Sequence, residues 1–178
     1  MTTDSDELAD LIDREKIRNC IMGLARGEDR RDAQLITAAF WANAMTDFGI
    51  FKGNLSQYLD WVVPGSAAVL LTQHKLGQIY IKLAGNVAQC ETYVTSYHRV
   101  NTGEAHHDIT IGGRYLDQME KREGEWRIST RTMLYDWCQN FGISANWEQG
   151  LMGQPFRSEH YTGACANDFS YAFFGIRE

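Results

Sequence analysis

The stretch His74–Val100, HKLGQIYIKLAGNVAQCETYVTSYHRV, decides the fold. From His74 the apolar period is two: Ile79, Ile81 and Leu83 alternate with Tyr80 and Lys82, the pattern of a half-buried strand. Ala84-Gly85-Asn86 reads as a hairpin turn, and Val87–Val100 as a long strand returning beside the first. The pattern continues downstream. Asn101–His107 is a polar loop, Ile109–Arg122 a strand, Glu123-Gly124 a tight turn and Trp126–Trp137 a further strand.

Upstream of His74 the period is helical. Residues 6–27 read as a helix with Leu8, Leu11 and Ile12 on one face and Ile17, Cys20, Ile21 and Leu24 continuing a stripe. A skip of apolar positions near Glu15 marks either a kink or a break between two helices. Ser5 or Asp6 suits the start and Gly27 the C-terminal cap. Asp32 suits the N-cap of a second helix that runs to Phe40. Met45–Phe51 reads as a short strand. Asn54 or Ser56 caps a third helix with Tyr58, Leu59, Val62 and Val63 on its buried face, ended by Pro64-Gly65. Residues 66–73 stay open between helix and loop. Helices first, then a meander of long antiparallel strands, define an α+β fold.

Composition narrows the function. The chain has 178 residues, 44% hydrophobic and 22% charged, enough to bury one sizeable core. A net charge of −6 without a Lys/Arg block argues against nucleic acid and anionic membranes as partners. No apolar run approaches the roughly 20 residues of a membrane span. Four scattered cysteines form no CxxC or zinc spacing, so reduced thiols in a cytoplasmic protein are expected. His106-His107, between Glu104 and Asp108, also lacks matching ligands elsewhere, and no metal site is expected. Aromatics reach 12%, as core or as the lining of a pocket for a flat ligand. Residues 138–178 are rich in glycine and aromatics, among them Tyr161 and Tyr171. They read as an ordered extension packed on residues 1–137 or on a neighbouring subunit.

Strand parity sorts side chains onto faces. Tyr93, Thr95 and Tyr97 share a face on the 87–100 strand, Ile111, Gly113 and Tyr115 on the next, and Arg127, Ser129, Arg131, Met133 and Tyr135 on the last. Each set mixes apolar bulk with hydroxyls, as the wall of a cavity does. By the same alternation His98 faces away.

These pieces resemble the SnoaL-like branch of the nuclear transport factor 2-like superfamily. The resemblance rests on LARGEDRRD (24–32), FGIFKG, YLDWVVP, TQHKLGQIYI, TSYHR, IGGRYLD and GEWRISTR…YDW in that order, and covers roughly residues 6–137. It implies a cone: a curved, mostly antiparallel sheet wrapped around N-terminal helices, with a pocket in its mouth, in a homo-oligomer, a trimer or a dimer. It also implies roles. Asp29 and His74 match the Asp and His of the branch's lyases, and Arg131 matches an arginine turned into the pocket. Tyr93, Ile111, Tyr115, Met133 and Tyr135 fall at positions that line it, and parity adds Tyr97. One departure stands out: dehydratases of the branch often carry Tyr or Lys where this chain has Leu24. Tyr93, Tyr97, Tyr115 and His98 are the available substitutes.

An Asp–His pair with no metal and no nucleophile elbow suits proton abstraction. The expected function is a cofactor-independent lyase acting on an aromatic or polycyclic small molecule. Loss of water, loss of halide and retro-aldol release of a small aldehyde all use the same pair. The alternatives are a non-catalytic ligand-binding or accessory subunit, and an isomerase in which the base returns its proton to another carbon.

Overall fold

A computed structural model describes residues 4–158, 160 and 163–176; Tyr161 lies outside the described residues. Helix α1 spans Asp4–Arg30 without interruption. Its buried stripe includes Asp13, Ile17, Ile21, Leu24 and Glu28, spaced three and four apart as a helix facing a core requires. The gap in apolar residues near Glu15 is therefore not a break between two helices. Asp13 fills that stripe position, and its carboxylate takes a hydrogen bond from Lys121 Nζ at 2.9 Å. Leu8, Leu11 and Ile12, in the first turns of α1, are exposed.

Gly27 does not cap α1. It lies inside the last turn, where a Cβ would sit 3.0 Å from Leu35 Cβ and 3.1 Å from Ile36. The glycine permits close packing of the next helix, and Arg31, at φ 53°, ends α1 instead. Asp32 caps helix α2 (Ala33–Ala39), accepting hydrogen bonds from the N–H groups of Gln34 and Leu35. Phe40, expected at the end of that helix, begins strand β1 (Phe40–Asp47), which folds back on β2 (Lys52–Asn54). Asn54 caps α3 (Leu55–Val62) in a reciprocal box with Gln57.

Four long strands follow: β3 (Val69–Ala84), β4 (Val87–Asn101), β5 (His106–Arg122) and β6 (Glu125–Ile143). The sheet order is β2-β1-β6-β5-β4-β3. Every neighbouring pair is antiparallel except β1–β6, which is parallel. The order does not close on itself, so β2 and β3 are open edges. The curved sheet holds α1 in its concavity. Ile17, Ile21 and Leu24 of α1 share one core with Ile81, Cys90, Met119 and Ile128 of the strands.

Two irregularities aim side chains. Gly112-Gly113 marks a register shift between β5 and β6. A Cβ at Gly112 would lie 2.1 Å from the Trp137 ring, and one at Gly113 would lie 2.1 Å from the Leu134 carbonyl oxygen. On β6 the pairing steps from Thr130 to Ile128, leaving Ser129 as an extra residue. The bulge switches parity. Arg131 and Met133 stay inward, but Arg127 does not share their face as expected: its guanidinium lies over the Trp41 ring, while Trp126 and Ile128 are buried.

Among the described residues, no helix is long and apolar enough to cross a membrane.

Candidate active site

The end of α1 meets the open edge of the sheet at β3. An edge strand leaves alternate N–H groups without partners. The Asp29 carboxylate takes the one at His74, accepting its backbone N–H at 3.1 and 3.0 Å. The same carboxylate holds the ring, with Oδ1 2.6 Å from His74 Nδ1. One acid thus fixes both the backbone and the imidazole of His74. Both side chains are nearly buried, 11% and 12% exposed.

With Nδ1 bonded to Asp29, Nε2 is the nitrogen left for the cavity that His74 lines. That cavity, about 440 Å³, is open at one end of the cone. Phe48, Tyr58 and Trp61 form one aromatic wall, with Phe48 stacked on Tyr58 at 5.4 Å. Ile111, Tyr115, Met133 and Tyr135 line the sheet side, together with His98. Tyr135 donates its hydroxyl to the Phe48 carbonyl at 2.8 Å, tying the two walls together.

Glu28 adjoins the pair. Its side chain is 5% exposed and lines the cavity. Oε1 accepts a hydrogen bond from the Tyr58 hydroxyl and lies 3.7 Å from Arg131 Nη1; Oε2 lies 3.7 Å from His74 Nε2. Burial is the largest influence on the His74 pKa and lowers it. The Asp29 hydrogen bond and the charges of Glu28 and Asp29 together outweigh it, so the imidazole is raised above its ordinary value. His98 is the converse. Burial first, then the neighbouring His74, pulls it down to about 4, with the two rings 6.5 Å apart.

The other expected site residues divide. Arg131 is fully buried behind the wall and does not line the cavity. It makes a bidentate pair with Asp117 at 2.7 and 2.8 Å, and its guanidinium lies 4.0 Å over the Tyr115 ring. It backs the site and balances Glu28. Tyr93 and Tyr97 correct the parity reading. On β4 the inward set is Thr92, Val94, Ser96 and His98. Tyr93 stands on the outer face beside Arg114, and Tyr97 donates to Asp108 at 2.7 Å. The tyrosine hydroxyls suggested a cavity face, yet the small apolar partners Ala88, Cys90 and Val94 mark the buried side. The same correction brings His98 into the cavity. Of the four substitutes for the group absent at Leu24, Tyr115 and His98 reach the cavity; Tyr93 and Tyr97 do not.

Glu28 was missed although a signal exists. It occupies the next position of the Ile17–Ile21–Leu24 stripe, where a carboxylate must be buried. Among the described residues, no group of three or more His, Cys, Asp or Glu side chains is placed to hold a metal ion.

The comparisons with known proteins agree with this geometry at the level of fold. A proposed scytalone dehydratase from Novosphingobium aromaticivorans DSM 12444 superposes with a TM-score of 0.66 at 16% identity, over 85% of this chain and 97% of that one. A type 2 hexachlorocyclohexane dehydrochlorinase superposes with a TM-score of 0.68 at 17% identity, over 87% and 99% of the two chains. The type 3 dehydrochlorinase of Novosphingobium barchaimii LL02 gives 0.67 at 17%, over 86% and 99%. No curated protein matches the sequence. The model of the SnoaL-like domain matches residues 9–132. With that match over most of its length and the cone around α1, this chain belongs to the SnoaL-like domain family of the nuclear transport factor 2-like superfamily.

Proposed function

We propose that the protein is a cofactor-independent lyase that uses His74 as a proton acceptor, held by Asp29, on an aromatic or polycyclic small molecule. The observation that carries this reading is the 2.6 Å contact between Asp29 Oδ1 and His74 Nδ1 at the wall of an aromatic cavity. Asp29 fixes the tautomer by accepting from Nδ1, which leaves the lone pair of Nε2 for a substrate proton. As the imidazolium forms, Asp29 and Glu28 stabilise its charge. Such general-base help is worth about 10²–10⁴-fold in rate.

In an elimination the electron pair of the broken C–H bond forms the new double bond, and the leaving group departs with its own bonding pair. In a retro-aldol cleavage the proton comes from a hydroxyl, its oxygen becomes a carbonyl as the C–C bond breaks, and the pair remains on a carbon conjugated to the ring. The aromatic lining of Phe48, Tyr58, Trp61, Tyr115 and Tyr135 suits a flat ring. Arg131, behind the wall, acts through Glu28 and Tyr115 by position and charge. The exposed Leu8, Leu11 and Ile12 at the start of α1 make self-association part of the same proposal.

A panel of aryl and alicyclic β-hydroxy and halogenated compounds, followed by mass spectrometry, tests the reading. Loss of water, hydrogen halide or a small aldehyde from one class is the expected result. Conversion with conserved mass identifies an isomerase. Tight binding without conversion identifies a ligand-binding protein and overturns the lyase.

A further inference from the structure

Glu28 lines the cavity and carries one oxygen that no hydrogen bond occupies among the described residues. Its Oε1 is engaged by Tyr58, with Arg131 behind. Its Oε2 is fully buried and accepts no hydrogen bond among the described residues. His74 Nε2 stands 3.7 Å away, beyond hydrogen-bond reach. A buried carboxylate oxygen without a donor is costly, and folded proteins seldom leave one so. The wall around it offers mostly apolar side chains, and its polar neighbours Tyr58 and Arg131 are already committed to other oxygens.

We infer that Glu28 determines specificity: its free Oε2 receives a hydroxyl of the bound substrate, so the substrate is a phenol or an aromatic alcohol, with that hydroxyl beside His74 Nε2. The inference names the substrate class for the lyase proposed above and rests on that reading only for its catalytic meaning. A hydroxyl donates to a carboxylate in a charge-assisted hydrogen bond. An ether or an aryl halide has no proton to give. A departing halide at this point would also meet a negative oxygen in a poorly solvated cavity, where like charges repel strongly.

The test is a binding measurement that needs no turnover. 2-Naphthol, 2-methoxynaphthalene and 2-chloronaphthalene are titrated against the wild-type protein and against Glu28→Gln, by calorimetry or by quenching of tryptophan fluorescence. Glutamine keeps the acceptor for Tyr58 but turns an amide N–H towards the cavity, replacing an acceptor with a donor. Wild-type protein is expected to prefer 2-naphthol about ten- to a hundredfold over both analogues, the ratio of one charge-assisted hydrogen bond. In Glu28→Gln that preference collapses, and 2-methoxynaphthalene gains.

Equal affinities in the wild type, no binding of 2-naphthol, or an unchanged preference in the variant overturns the inference. Should Glu28→Gln not fold, Glu28→Asp, which withdraws the carboxylate by one methylene, makes the same comparison: the preference is expected to fall, and an unchanged preference in a folded variant overturns the inference. Failure of the lyase reading shows elsewhere, as an absence of conversion in the compound panel, so the two failures are distinguishable.

Discussion

Glu28 and Asp29 occupy the last turn of α1, the end where the helix dipole disfavours negative charge by about 0.3–1 kcal/mol each. Their retention there is a local rule broken at a candidate site. Asp29 is held by the N–H and ring of His74, Glu28 by Tyr58 and Arg131. The pH behaviour follows from the groups facing His74: Asp29 and Glu28 raise its pKa, while burial and Arg131 lower it, with a net rise. A proton acceptor must first lose its proton, so kcat/KM should climb with pH along an acid limb centred above the ordinary histidine value of about 6.5. Asp29→Asn should move that limb to lower pH. The stability sign is opposite. A raised folded-state pKa stabilises fully below about pH 6.5, and that contribution is lost as pH rises through the raised value. NMR titration of the His74 ring checks both, and a midpoint below the ordinary value would contradict them. The sequence made Asp29 and His74 legible through resemblance; Glu28 was passed over, although the Ile17–Ile21–Leu24 spacing marks its position as buried. The inward face of β4 was misread because Tyr93 and Tyr97 carry hydroxyls that find solvent, Arg114 and Asp108 rather than a ligand.

At the scale of elements, the end of α1 is held from behind by helix α4 (Phe169–Phe174). Tyr171 donates its hydroxyl to Asp32, the cap of α2. Arg30 Nε lies 3.1 Å from Asp168 Oδ2 as an ion pair, without the alignment of a hydrogen bond. Arg26 stacks on Tyr171 and Phe174 and donates to Ser170 Oγ at 3.2 Å. The helix end carrying the site is thus fixed on one side by β3 and on the other by the C-terminal segment. Tyr171→Phe is expected to cost about 1 kcal/mol in denaturant unfolding. It should also speed amide exchange across the last turn of α1. Unchanged exchange there would show that α4 does not brace the site. An ordered extension packed on residues 1–137 or a neighbour was expected, but its partners were not legible, because the segment around α4 lacks periodicity and the residues of α1 and α2 it meets lie far away in sequence. The hairpin turns were legible, since Glu123 and Gly124 both require positive φ.

Across the whole molecule, the buried Asp117–Arg131 pair joins β5 and β6 in register beneath the cavity. Arg131→Met leaves Asp117 and Glu28 buried without their cation and is expected to destabilise by about 3–5 kcal/mol. Adding Asp117→Leu should recover part of the loss, and urea unfolding of the three variants measures the coupling. The α+β plan was readable from the change of period at His74. The parallel β1–β6 contact and the open sheet were not, because local patterns do not specify which distant strands pair. The decisive measurement compares turnover by wild-type, His74→Ala and Asp29→Asn protein on the compound the panel identifies, with thermal unfolding to confirm folding. Both variants should stay folded and lose about 10²–10⁴-fold in kcat. A folded His74→Ala variant with near wild-type turnover would contradict the account.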